Sequence, residues 1–321
     1  MIYTILKYTV KLGLKIFCRN IFINKTEYLK IKGPLLIAMN HPNSFLDAII
    51  IDILFDQPVW SLARGDAFKG KLISSILTAV KIMPVYRTSE GVENLSENYK
   101  TFDACLNIFK LGGIVQIFSE GRCENEWHLR PLKKGTARLA IKAWEENIPL
   151  RILPAGINYS SFFRFGKNIF LNFGEIITAD AIDLKSSDGI RNQTFNTILQ
   201  SQLQQLVLEI KAEDKPRQRE LLERKPILLI KILLLIPALL GYLLNAPLYL
   251  PVKNFILKKA HETGHFDSIM MGLLIALYPF YLLLITLTIY FISGNNLAFL
   301  LLLIIPFTAW SYVQLKPQLD K

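Results

Sequence analysis

The chain reads as an α/β fold, a mixed sheet flanked by helices, followed by an all-α hydrophobic membrane region. Three observations predict this. From about Thr26 to Asp214, apolar runs of strand length alternate with amphipathic stretches. From Pro226 onward Leu, Ile, Phe and Tyr dominate, and Leu273–Ile292 is an unbroken uncharged run of about bilayer-spanning length. Between them, Lys211 to Lys225 is charged and carries Pro216. The expected organisation is an amphipathic N-terminal helix over 1–25, the α/β domain over 26–215, a linker over 216–225 and a membrane-associated region over 226–321.

In the first segment Lys7, Lys11, Lys15 and Arg19 recur every four residues, which breaks any apolar core of a signal peptide. At helical spacing they form one basic stripe. Two readings stand: a helix on an anionic membrane surface, or a helix packed on the domain with the stripe in water. The sheet domain then has candidate strands at Leu35–Met39, Val59–Ala63, Ile82–Tyr86, Gly113–Ser119, Arg151–Ile157 and Asn168–Gly174. Candidate helices are Phe45–Phe55, Phe68–Val80, Val92–Leu111, Thr136–Glu146 and Ile190–Ala212. In the tail, Ile227–Leu250 contains Pro237, Gly241 and Pro247, and Lys253, Lys258 and Lys259 follow it. Because lysine-rich flanks stay cytoplasmic, the expected topology keeps both ends of this piece inside, so that it dips into the membrane or lies at its interface. Leu273–Ile292 and Leu297–Val313 then form a spanning hairpin, with the uncharged link 293–296 outside.

The formal net charge is +11, with half of the residues hydrophobic. Nucleic acid, an anionic membrane surface and a phosphorylated substrate all fit a basic chain. There is no zinc-finger spacing and no RNA-binding sheet pattern, so no nucleic acid is expected, and the tail favours the other two. Cys18, Cys105 and Cys123 are odd in number and far apart, which suits small buried residues in a reducing compartment and gives no metal set.

The chemistry concentrates in four stretches. Asn40-His41-Pro42-Asn43-Ser44-Phe45-Leu46-Asp47 follows the first strand, so His41 sits in the turn and Asp47 in the first helical turn. A carboxylate there can bond one imidazole nitrogen and leave the other as a base. The bland alternative is a capping box, with Ser44 as N-cap and Asp47 reaching back to it. Next come Met83-Pro84-Val85-Tyr86-Arg87, then Ile117-Phe118-Ser119-Glu120-Gly121-Arg122 leading to Leu132-Lys133-Lys134-Gly135, and last Leu153-Pro154-Ala155-Gly156.

Together these four ordered motifs resemble the glycerophospholipid acyltransferase superfamily, over roughly residues 34 to 175. Two departures stand out. Five residues rather than the commoner four separate His41 from Asp47. Ser119 stands where the common third motif has proline, and Arg122 comes one place early. The longer spacing, with Asn43 two after the histidine, resembles a branch that acylates glycerol 3-phosphate or dihydroxyacetone phosphate. The resemblance implies that His41 deprotonates the acceptor hydroxyl as it attacks an acyl thioester, while Asp47 fixes the tautomer. It implies Asn43, Arg87, Glu120, Gly121 and Arg122 as substrate-binding residues. Arg87 and Arg122 would grip the phosphate, backbone amides near Gly121 would face the phosphate or thioester oxygen, and Glu120 would orient an arginine or the hydroxyl. Surface roles remain for the arginines and for Lys133 and Lys134, and simple turn roles for Gly121, Gly135 and Gly156.

The resulting expectation is a membrane-bound acyltransferase with its catalytic domain on the cytoplasmic face. Its partners would be membrane lipids, a glycerol-phosphate acceptor, and acyl-CoA or acyl carrier protein as co-substrate, with no cofactor or metal. An alternative acceptor is 1-acylglycerol-3-phosphate, giving phosphatidic acid. A remote alternative is a zinc metalloprotease using His261-Glu262-Thr263-Gly264-His265, although a third zinc ligand is hard to find downstream and Gly264 weakens the helix it needs. A lipid-binding scaffold without catalysis is the third class, against which the intact His41 and Asp47 speak.

Overall fold

A computed structural model describes residues 2–86, 95–260 and 264–320. Seven strands form one sheet: β1 (Cys18–Ile23), β2 (Leu35–Met39), β3 (Val59–Arg64), β4 (Ile82–Val85), β5 (Ile114–Phe118), β6 (Arg151–Tyr159) and β7 (Lys167–Phe173). Their order is β1-β7-β6-β2-β5-β3-β4. The five strands from β6 to β4 are mutually parallel, whereas β7 pairs antiparallel with β6 and parallel with β1.

β2 lies in the middle of the sheet and is buried along its whole length. This is why Leu35–Met39 reads as a continuous apolar run rather than an alternating one. Its side chains nevertheless sort by the two-residue period. Leu35, Ile37 and Met39 enter one core layer, and Leu36 and Ala38 enter the other. The second layer is closed by α4 (Leu95–Lys110), α5 (Gly135–Glu145) and α6 (Asp188–Leu206). The first is closed by α1 (Ile2–Phe17) and α2 (Phe45–Leu54), together with residues of the apolar tail, Val252, Ile256, Phe266, Met270 and Met271. The tail therefore completes the core of the sheet domain.

Three helices are long and apolar enough to cross a membrane, spanning Leu228–Lys259, Phe266–Ser293 and Asn296–Leu315. They correspond to α8 (Leu228–Ala260), α9 (Phe266–Ser293) and α10 (Leu301–Leu315, preceded by one 3₁₀ turn). The remaining α-helices among the described residues are α3 (Lys71–Ala79) and α7 (Lys215–Leu222).

Several expectations need correcting. Residues 1–25 do not form one helix, because α1 ends at Phe17 and β1 joins the sheet edge beside β7. The lysine periodicity masked this strand. Nor does the basic stripe lie on an outer surface as a unit. Lys7 Nζ donates to the Phe55 carbonyl at 2.8 Å, and Arg19 is buried, its guanidinium donating to the Val313 carbonyl at the end of α10. The exposed large hydrophobic side chains of α1 are Ile5, Leu6, Tyr8 and Leu12, and Lys11 and Lys15 are exposed beside them. The linker 216–225 is mostly α7, with Leu222 and Gln218 buried on the domain. The prolines at 237 and 247 do not break the first apolar piece. α8 runs unbroken through them, as apolar surroundings allow when neighbouring groups satisfy the freed carbonyls.

Candidate active site

In open parallel sheets, ligands bind beyond the carboxyl ends of the strands. His41 follows β2, Glu120-Gly121-Arg122 follows β5, and Arg64 ends β3, so these residues gather on one edge. Arg87 lies outside the described residues.

The turn after β2 is pinned before the helix starts. The Asn40 side chain accepts from the Ile157 N–H at 2.8 Å and donates to the Ile157 carbonyl at 3.0 Å, so the turn is tied to β6. The His41 ring stacks on Phe118, with centroids 3.7 Å apart and planes 12° apart. Its Nδ1 lies 2.9 Å from Asp47 Oδ2. The same carboxylate oxygen accepts from the Asn43 N–H at 2.8 Å, and Oδ1 accepts from the Tyr159 hydroxyl at 2.7 Å. Burial, with the Asp47 carboxylate beside it, holds the Tyr159 phenol well above its ordinary value and keeps it a donor. With Asp47 accepting, the proton of a neutral His41 sits on Nδ1, leaving Nε2 to take one. The side chain of Asp47 is fully buried and that of His41 is 18% exposed, as suits a fixed partner and a group that meets substrate.

The capping-box reading fails. Ser44 makes no side-chain cap, and the Asp47 carboxylate bonds the amide of Asn43 rather than that of Ser44. Ser44 sits at φ 52°, ψ −135°; its N–H donates to Cys123 Sγ at 2.9 Å and its Oγ lies 2.6 Å from His265 Nδ1.

Glu120 is buried and faces backbone. Oε2 accepts from the His41 N–H at 2.7 Å and Oε1 from the Arg130 N–H at 2.9 Å. Burial raises its pKa, and those two N–H groups oppose the rise. It thus holds the histidine's main chain, which is not the orienting of an arginine or hydroxyl expected from the sequence. Gly121 is required by its φ of +71°, and a Cβ there would meet Lys133 Cγ at 3.0 Å. Its N–H is used by the Phe118 carbonyl at 3.1 Å, so this amide does not face a substrate. Arg122 is exposed at the mouth and paired with Glu124, whose own N–H donates to the His41 carbonyl at 3.2 Å.

Asn43 is not at the substrate surface. It is completely buried, and its amide donates to Asp267 Oδ2 at 2.7 Å. Ser119 has a clear reason to replace proline: its N–H donates to the Met39 carbonyl at 2.9 Å, extending the β2–β5 ladder. Lys133 and Lys134 are exposed at the start of α5. Gly156 serves no turn. It lies inside β6, where a Cβ would meet the Leu206 backbone at 2.6 Å.

Of the zinc-protease motif, the described residues Gly264 and His265 lie outside any helix. His261, Glu262 and Thr263 lie outside the described residues, α8 ends at Ala260, Gly264 takes φ +66°, and His265 precedes α9. Among the described residues no group of three His, Cys, Asp or Glu is placed to hold a metal. Cys18 and Cys105 are buried, and burial pushes the Cys105 thiol up to about 12.

Residues 20–158 match the family model described as Acyltransferase. The chain carries an acyltransferase domain. His41, Asp47, Glu120 and Gly121 all lie within the matched residues. Among solved structures, a 1-acyl-sn-glycerophosphate (LPA) acyltransferase, PlsC, from Thermotoga maritima is similar at 15% identity, with a TM-score of 0.42, over 63% of this chain and 79% of that one. No curated protein matches the chain. Beyond the motifs, the candidate site is held by Asn40, Tyr159, His265 and Asp267. Tyr159 lies three residues after the fourth motif, on the same strand β6. The last two sit at the start of the long apolar helix α9, in and just after the stretch whose other reading is an interfacial loop with polar residues touching lipid headgroups or the catalytic domain.

Proposed function

We propose that the protein is a membrane-bound acyltransferase that moves an acyl chain from acyl-CoA or acyl carrier protein to a hydroxyl of glycerol 3-phosphate or dihydroxyacetone phosphate. The observation that carries this reading is the His41 Nδ1–Asp47 Oδ2 contact of 2.9 Å beside the strand ends. The acceptor O–H gives its proton to His41 Nε2 as its oxygen attacks the thioester carbonyl carbon. The C–S bond then breaks, and the leaving thiolate takes the proton back from the imidazolium. An alcohol is a poor nucleophile at neutral pH, so the step needs such a base. Arg122, with Arg87 after β4 and Arg64 at the end of β3, supplies guanidinium groups suited to the acceptor's phosphate.

The hydrophobic helices would anchor the domain to the cytoplasmic face. α9 leaves the domain from buried Phe266, and α10 returns to it at Val313, whose carbonyl binds Arg19. Both outer ends of this pair thus rest on the domain, and the exposed link near Asn295 is distal. α8 is also held at both ends. Arg224, just before it, lies 5.1 Å over the Phe170 ring, and Val252 and Ile256 near its end are buried in the domain core. A helix of 33 residues is about 50 Å long. Holding both ends on one domain favours a course along the interface.

The test is to incubate the purified protein with an acyl thioester and either glycerol 3-phosphate, dihydroxyacetone phosphate or lysophosphatidic acid, and to identify the lipid by mass spectrometry. A singly acylated product supports the reading. Phosphatidic acid from lysophosphatidic acid alone moves the assignment to the second acylation, and no product with any acceptor overturns it.

A further inference from the structure

We propose that the first turn of membrane helix α9 is a positioning element of the active site, with Asp267 holding the His41 turn through Asn43. This rests on the reading of His41 as the base. Three side chains of this turn or its cap reach the segment between His41 and Asp47. Asp267 Oδ2 accepts from Asn43 Nδ2 at 2.7 Å, His265 Nδ1 lies 2.6 Å from Ser44 Oγ, and Ser268 Oγ accepts from the Leu46 N–H at 3.1 Å. Asn43 is the link. Its side chain is held by α9 while its own N–H donates to Asp47 Oδ2, the oxygen that also holds His41 Nδ1.

The local backbone needs such support. Ser44 is a non-glycine residue at φ 52°, ψ −135°, a conformation that persists only when the surroundings enforce it. Asp267 is itself fixed. It is fully buried and ion-paired with Lys167, which is equally buried at the start of β7. A buried ion pair is a poor route to stability, because an apolar pair of similar volume often serves as well. What an apolar pair cannot do is accept the Asn43 hydrogen bond. The geometry thus separates two roles for the same carboxylate: neutralising Lys167 and anchoring Asn43.

Two double variants of the full-length protein separate them experimentally. Lys167→Met with Asp267→Asn removes both charges and keeps an acceptor for Asn43. Lys167→Met with Asp267→Leu removes both charges and the acceptor. The expected result is a kcat about ten- to a hundredfold lower for the leucine variant than for the asparagine variant, the scale of a small misplacement of a catalytic group. KM values for both substrates should match between the two. Asn43→Ala should lower kcat by a similar factor in the asparagine background and add nothing in the leucine background. If the leucine variant does not fold, Asn43→Ala in the asparagine background alone carries the test. Equal kcat in the two double variants, or an Asn43→Ala loss that simply adds in the leucine background, overturns the proposal. His41→Ala run in the same assay keeps the two claims apart. Retained turnover there removes the base assignment itself, and with it the need for positioning, whereas an inactive His41→Ala beside equal double variants removes only the role of α9.

Discussion

Asp47 receives hydrogen bonds from three donors, the His41 ring, the Asn43 amide and the Tyr159 hydroxyl. A carboxylate can serve all three; an amide must turn its own N–H₂ toward at least one of them. Asp47→Asn should therefore lower kcat by about two orders of magnitude or more, since it disturbs both the tautomer and the orientation of the base. Steady-state kinetics with folding checked by circular dichroism measures this, and near-full activity would mean that the dyad is not used. Arg122 is more exposed and already paired with Glu124, so its loss should be milder. Arg122→Ala should raise the acceptor KM by about tenfold, the lower end for a charge-assisted bond, with the donor KM unchanged. Equal effects on both would assign it a structural role.

His265 carries a pH prediction at the same scale. Its pKa is lowered, first by burial and then by the charges of His41 and Arg64. For a base with a depressed folded-state pKa, the unfolded chain binds the proton more readily, so stability is present at higher pH and declines as pH falls below the ordinary histidine value. His265→Gln should flatten that part of the thermal-midpoint profile, and an unchanged acid slope would refute the claim. The residue scale also shows what the sequence exposed. The His41–Asp47 partnership was legible from type and spacing. The roles of Asn43 and Glu120 were not, because both face buried partners far along the chain, Asp267 for one and the His41 and Arg130 amides for the other.

Among the elements, those with a single buried face or a full apolar run were legible, β2 and α2 above all. β1 was hidden because the residues before it form a lysine-studded helix and the strand lies at the sheet edge, with only part of each face covered. α8 runs unbroken through its prolines, as an apolar setting with neighbouring partners for the freed carbonyls allows. Gly156 shows how a motif glycine acquires its meaning only from packing. β6 passes so close to the end of α6 that a methyl group would meet Leu206 main-chain atoms at 2.6 Å. Gly156→Ala should destabilise the fold by about 1–3 kcal/mol, the usual cost of overpacking, as a lowered thermal midpoint. An unchanged midpoint would show that the two elements separate freely.

For the whole molecule, the division into soluble domain and hydrophobic tail was plain from hydropathy, but the degree to which the tail builds the domain was not. Phe266 and Met270 from α9 and Val252 and Ile256 from α8 belong to the same core layer as β2 and α2. With both ends of α8 and the outer ends of the α9–α10 pair resting on the domain, single cysteines at Lys258 and at Asn295 should be labelled from opposite sides of intact vesicles, in a background lacking the native three. Labelling of both from one side would contradict this topology. The central claim is narrower and chemical: His41, held by Asp47, removes the acceptor proton. Its most direct test compares wild type and His41→Ala for acyl transfer from a thioester to the accepted glycerol-phosphate substrate, with product counted by mass spectrometry. The loss should be about two to four orders of magnitude in kcat, the usual worth of a general base, in a variant that folds and binds both substrates as before. Turnover within a few-fold of wild type would contradict the account.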